Sequence, residues 1–195
     1  MPPKARGEYI ETDTGNKVSR RSQIHGTQHI ILGGRTVIQA DVCIRGDLCR
    51  APSHHTSSNP NSTASNVSVA IGRYTFLSRG CTLRPPSKTH RGVFSYFPLK
   101  IGDHTFVGKE AIIEAASIGS NVHIGAGAII QKFCIIKDFV KVLEGTVVPA
   151  GMVVPSFSIV GGSPGRVIGE VGDGFGVGDG MVEGGDLREL WRMTG

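Results

Sequence analysis

From Ile118 onward an aliphatic residue recurs every six positions: Ile118, Ile124, Ile130, Ile136, Val142, Val148, Val154 and Val160. Four places after each stand Val122, Ala128, Cys134, Val140, Thr146, Met152, Ser158 and Pro164, most of them small or β-branched. The same spacing runs earlier through Leu32, Ile38 and Ile44, through Ile71, Leu77 and Leu83, and through Ile101, Val107 and Ile113. Val18 and Ile24 fit it loosely, and the register slips by one between Ile113 and Ile118. A period of six suits neither an amphipathic helix nor a long strand. It predicts a short strand and a corner, repeated, with two side chains per repeat turned inward. Gly follows the aliphatic residue at Gly72, Gly102, Gly119 and Gly125, which is read as a corner needing unusual dihedrals.

Three such repeats close one triangular coil. The whole predicts an all-β prism over residues 1–168, with three flat parallel sheets and an aliphatic ladder inside. About six or seven coils at ~4.8 Å each make it roughly 30 Å tall. The pattern resembles that of hexapeptide-repeat chains, whose fold is the left-handed parallel β-helix. The hand comes from that resemblance, since the general rule for parallel crossovers predicts the opposite one.

Three segments break the period. Residues 50–68 are rich in Ser, Asn and Pro and read as a flexible insertion. Its His54–His55 pair is a poor metal site, and the sequons at Asn61 and Asn66 read as chance matches. Residues 84–100 form an aromatic loop excursion carrying Val93, Phe94, Tyr96, Phe97 and Leu99. It either packs back on its own prism or offers a partner an apolar contact. Residues 169–195 are a Gly-rich acidic tail ending in a short helix, with Asp186 as its cap and Leu187, Leu190 and Trp191 on one side. So short a helix is marginal alone and must dock. The exposed strand edges at the two ends of the prism need a cap or a partner.

Composition adds a partner class. Residues 51–100 hold six Lys or Arg and no Asp or Glu, whereas residues 169–195 hold six acids and two Arg. The basic middle suits an acidic partner. Its cations are scattered and no nucleic-acid motif accompanies them. No apolar run reaches the roughly 20 residues of a membrane span. The chain reads as soluble and intracellular, with Cys43, Cys49, Cys81 and Cys134 as reduced thiols.

Candidate chemistry centres on VGKEAIIEAA, residues 107–116. With IGDHTF before it and IGSNVHIGAGAII after it, this stretch resembles the γ-class carbonic anhydrases. That resemblance implies zinc held by three histidines at subunit interfaces. Here Lys109 and Glu114 replace two of them, and the third position falls near Arg84. A Lys ammonium has no lone pair at neutral pH, and one carboxylate does not hold a catalytic zinc alone. The other histidines, His25, His29, His90, His104 and His123, read as surface residues. A hexapeptide acyltransferase needs a His general base beside a cofactor channel, and only His90 stands on a long loop. The tripeptide Arg45-Gly46-Asp47 reads as a corner whose charged pair bridges coils or subunits. The expectation is therefore no catalytic residue, no metal and no cofactor.

One family fits beyond the repeat. EYIETDTGNKVSRRSQIHGTQHIILGGRTVIQADVCIRGDL (residues 8–48), FSYFPLKIGDH and VVPAGMVVPSFSIVGGSPG together resemble the family of the fifth dynactin subunit. The resemblance covers roughly residues 8–168 and departs from the family in the 50–68 segment and the Gly-rich tail. It implies a non-enzymatic, structural role in the pointed-end complex of dynactin. The implied partners are the sixth dynactin subunit, also a hexapeptide-repeat prism, the pointed-end actin-related protein, the fourth dynactin subunit and cargo adaptors. The implied place is the cytoplasm and its microtubule cytoskeleton, where dynein–dynactin engages cargo such as endosomes. Candidate partner-contact residues are Arg45, Asp47, Arg84, Arg91, Phe94, Tyr96 and Phe97.

Overall fold

In the computed structural model, which describes residues 8–49, 67–172, 175 and 187–194, the six-residue period becomes six triangular coils. A first strand, β1 (Tyr9–Glu11), lies before them. Coil one is β2 (Lys17–Ser19), β3 (Gln23–His25) and β4 (Ile30–Leu32). Coil two is β5 (Val37–Ile38), β6 (Cys43–Arg45) and β7 (Val69–Ile71). Coil three is β8 (Phe76–Leu77), β9 (Thr82–Leu83) and β12 (Leu99–Ile101), with β10 (Ser87–His90) and β11 (Val93–Tyr96) projecting between the last two. Coil four is β13 (Phe106–Val107), β14 (Ile112–Ile113) and β15 (Ser117–Ile118). Coil five is β16 (His123–Ile124), β17 (Ile129–Ile130) and β18 (Ile135–Ile136). Coil six is β19 (Lys141–Val142), β20 (Val147–Val148) and β21 (Val153–Val154). Then come β22 (Ser158–Gly161), β23 (Arg166–Glu170) and the helix α1 (Leu187–Met193).

The first strands of the coils stack in parallel as one face, the second strands as another and the third as the last; β1 and β23 close the first face antiparallel at its two ends. The fold is the left-handed parallel β-helix. Ile38, Leu77, Val107, Ile124, Val142 and Val160 climb the inside of the first face, fully buried. Leu83, Ile113, Ile130 and Val148 do so on the second face. The residues four places on, among them Val122, Ala128, Cys134 and Val140, fill the corners at zero exposure. At the slip after Ile113, Ala115 takes the buried corner place expected of Ser117. Burial pushes the Cys81 thiol up to about 12, and all four cysteines are free thiols.

The corners correct one reading of the sequence. Gly72, Gly102, Gly119 and Gly125 are absent from the residues with positive φ. The left-handed residue comes two places later: Tyr74, His104, Asn121 and Gly127. Gly102 and Gly125 are needed because coils touch there. A Cβ on Gly102 would lie 2.6 Å from the Gly119 carbonyl carbon, and one on Gly125 2.5 Å from the Glu144 nitrogen. A non-Gly residue in the left-handed region costs ~1–2 kcal/mol. Stacking between coils offsets it. The Tyr74 and His104 rings lie 5.0 Å apart, as do those of Phe139 and Phe157, and such pairs add ~0.5–1.5 kcal/mol.

The helix α1 docks on the first face. Leu187, Leu190 and Trp191 pack with Val37, Phe76, Phe106 and Phe175. Trp191 Nε1 donates to the Gly15 carbonyl at 2.7 Å, and Lys17 Nζ donates to the carbonyls of Trp191 and Thr194. The expected cap, Asp186, the His54–His55 pair, the sequons and most of the 50–68 segment and Gly-rich tail lie outside the described residues.

Candidate functional site

Every departure from the six-residue period falls on one edge of the prism, the corner between the second and third faces. Between β3 and β4 the chain carries two extra residues, between β6 and β7 it inserts the Ser/Asn-rich segment, between β9 and β12 it sends out β10 and β11, and between β14 and β15 it is one residue short. The residue that follows each inward rung of the second face forms a column: His25, Arg45, Arg84, Glu114, Gln131 and Pro149.

The aromatic excursion is a β-hairpin. Lys88 pairs with Ser95 and His90 with Val93, around Arg91 and Gly92, both at positive φ (50 and 76). Two left-handed residues make the tight turn whose twist matches the flanking strands. Alternation of side chains over 87–96 could have signalled it, but Arg-Gly is a weaker turn signal than Asn-Gly. The reading that the segment packs back on its own prism holds for its base, while its tip is exposed. Its base packs on its own prism, with Phe97 edge-on to Phe133 at 5.4 Å and Lys132 Nζ donating to Ser87 Oγ at 3.3 Å. Its tip projects, leaving Val93 65% and Phe94 55% exposed. Phe94 and Tyr96 meet edge-to-face on one side, while Lys88, His90, Arg91, Val93, Ser95 and Phe97 line a shallow cavity of about 440 Å³. An apolar floor rimmed by cations suits an acidic segment with apolar side chains.

Arg45 and Asp47 are placed differently from their expected role. They do not bridge coils; they pair with each other, Nε to Oδ1 at 2.8 Å and a terminal nitrogen to Oδ2 at 2.7 Å. That hydrogen bond holds the Asp47 carboxyl below its usual range and raises the Arg45 guanidinium. Arg84 reaches Glu114 at 3.5 Å. Lys109 sits on another corner, between the first and second faces, so β14 separates it from Glu114. An ion pair between those two is excluded within one chain.

These three positions do not fit zinc. Arg84 and Lys109 are cations, and Arg84 already engages the Glu114 carboxylate. Among the described residues no group of three or more His, Cys, Asp or Glu is placed to hold a metal.

The histidines divide. His25 and His90 are exposed, and His104 stacks on Tyr74. His123 departs from the surface reading. Its ring lies on Phe106 at 5.0 Å and 7°, and Nδ1 is buried without a partner. Burial, aided by the Lys141 charge, lowers its pKa to about 4. Its position, directly outward on β16 between two aromatic or basic neighbours, was legible only once the stacking register was known.

A model of the family described as Dynactin subunit 5 matches residues 4–176. A protein named Dynactin subunit 5 from Dictyostelium discoideum is 42% identical over 115 residues, 59% of this chain and 49% of that relative. The chain thus matches about half the length of that relative. Among solved structures, AntD, an N-acyltransferase from Bacillus cereus, superposes with a TM-score of 0.59 at 14% identity, over 80% of each chain. A hexapeptide transferase family protein from Anaplasma phagocytophilum gives 0.56 at 17% identity, covering 83% of this chain and 82% of that one. At these identities the likeness is one of fold.

Proposed function

The chain belongs to the dynactin subunit 5 family, and on that premise we propose that it is a non-catalytic structural subunit of the dynactin pointed-end complex. In this reading it pairs with the sixth dynactin subunit, beside the pointed-end actin-related protein and the fourth subunit. It helps dynein–dynactin engage cargo such as endosomes through cargo adaptors, in the cytoplasm and on the microtubule cytoskeleton. Catalysis plays no part. The observation that carries the reading is the family match over residues 4–176. The edge between the second and third faces supports it. There a related enzyme would present two of its three metal ligands, whereas this chain presents an Arg84–Glu114 ion pair and an apolar, basic hairpin. The partner-contact residues of the proposal are Arg84, Arg91, Phe94, Tyr96 and Phe97, with Arg45 and Asp47 one coil away.

The test is affinity purification of the tagged full chain from the cytosol of its own cells, followed by identification of what accompanies it. Dynactin subunits in fixed stoichiometry are expected. Recovery as a zinc-loaded homotrimer that hydrates CO2 above the buffer rate would overturn the reading.

A further inference from the structure

The two ends of the prism are finished differently. At the C-terminal end, β23 pairs with β22, the Val147 N–H donates to the Gly162 carbonyl at 3.0 Å, and the Gly165 N–H donates to the Val147 carbonyl at 2.7 Å. One coil earlier, Gln131 and Lys137 donate their N–H groups to Val148 and Val154, each at 3.1 Å. In the last coil those two places are Pro149 and Pro155, which have no N–H to leave open. The ladder beneath, Val148, Val154 and Val160, is at zero exposure.

The N-terminal end lacks this finish. The strand β1 covers only the first face, and among the described residues β3 and β4 have no strand outside them. Alternate residues of a parallel strand turn their N–H and C=O to opposite neighbours. Gln23 and Gly33 donate into coil two, to Val42 and Ile71, and His25 and His29 accept from Gly46 and Ser68. Ile24 and Leu32 therefore aim their backbone groups out of the end. Among the described residues the ladder is uncovered here too. Val18, Ile24, Ile30 and Leu32 are only partly buried. Ile10, paired opposite Val18 and so on the same side of the sheet, is 45% exposed, and Ile31, on the outer side of β4, is 53% exposed.

We propose that this open end is a docking site for an extended, apolar segment of a partner protein, which adds as a strand along β4. One side chain of the segment covers Ile10 and Leu32, and the next lies beside Ile31. Its chemistry is that of a strand buried on both faces, a short run of Ile, Val or Leu. The edge of β4 is favoured over that of β3, whose outward residues Gln23 and His25 are polar. A second copy stacked head to tail does not meet the requirement, because the opposite end offers prolines and a closed ladder. One added strand is a single contact, and it works within a larger assembly. In that respect the inference rests on the proposed role as an assembly subunit.

Hydrogen–deuterium exchange on the full chain, free and within purified native dynactin, tests it, with Ile31→Lys as the companion variant. The peptide covering Leu32 should exchange fast in the free chain and at least ~10-fold slower in the complex, while Ile24, on the uncovered edge of β3, stays fast. Ile31→Lys should keep the free chain's circular dichroism and lose its place in the complex. Equally fast exchange in the complex overturns the docking site while leaving the assembly role intact. Slow exchange in the free chain overturns it as well: at every concentration it means the chain covers its own end, and at high concentration only it means a second copy does. A tagged chain that brings down no dynactin subunit overturns both proposals together.

Discussion

Arg84 and Glu114, 30 residues apart in the chain, meet one coil apart at 3.5 Å on the edge between the second and third faces. Arg84 is 48% and Glu114 19% exposed, so solvent screens the pair. A double-mutant cycle of Arg84→Ala and Glu114→Ala should give a coupling of about 1 kcal/mol or less by thermal or urea unfolding. Elemental analysis of the purified chain should find no stoichiometric zinc, and a chelator should leave its melting temperature unchanged.

His123 ties stability to pH. Its folded pKa of about 4 lies below the ordinary value of 6.5. Between those values the unfolded chain binds the extra proton, so stability rises with pH across the window and is lost as pH falls toward 4. The variant His123→Phe keeps the stack on Phe106 and removes the titration. Unfolding measured across the window should show wild type losing up to ~3 kcal/mol that the variant keeps. Parallel curves for the two proteins would refute this.

Two glycines two places apart should fail for different reasons. In Gly125→Ala the new Cβ meets the backbone of the next coil at 2.5 Å, and relieving that costs ~1–3 kcal/mol or more. In Gly127→Ala nothing lies within 4 Å, but φ is +64, which costs ~1 kcal/mol. Urea unfolding should rank Gly125→Ala as the more damaging of the two.

On the hairpin, the tip and the base should separate binding from stability. The double variant Val93→Ser, Phe94→Ser alters side chains that face solvent and should leave the melting temperature within a degree or so of wild type. It should reduce recovery of dynactin partners several-fold. Phe97→Ala strips the contact with Phe133 and should loosen the hairpin on its prism, read as faster backbone exchange over 87–96.

Trp191 is the one tryptophan in the chain, so its fluorescence reports the docking of α1. Leu187 is 3% exposed against Val37 and Phe76. Leu187→Asp should undock the helix and shift the emission to the red, while the strand signal in circular dichroism persists. An unshifted emission would mean that α1 is held by Lys17 and Gly15 without the apolar contact.

The ladder was legible in the sequence because a six-residue period leaves few alternatives once Ile118, Ile124 and their successors are aligned. Most inward rungs and corner fillers landed where the spacing put them. Other features depended on neighbours from different coils. Gly102 and Gly125 were read as turn residues, since nothing in one dimension shows the backbone of the next coil against them. His123 was read as a surface residue, because Phe106 becomes its neighbour only when β13 and β16 are stacked. Lys109 and Glu114 stand five apart in the sequence, yet five residues of this chain turn a corner and cross a face. The convergence of Arg45, Arg84 and the hairpin was hidden for the same reason, as their numbers lie far apart.

The one-residue deletion before Ser117 and the hairpin after Leu83 leave the rungs above and below them in step. That edge behaves as an expansion joint. Chain can be added or removed there without shifting the pitch of the rest, because the strands on either side are registered by their own coils and not by the length of the connection. Variation in what the prism carries is therefore uncoupled from variation in what holds it up. A small reporter or epitope spliced at this joint would ride outside the shaft and leave both ends free to seat.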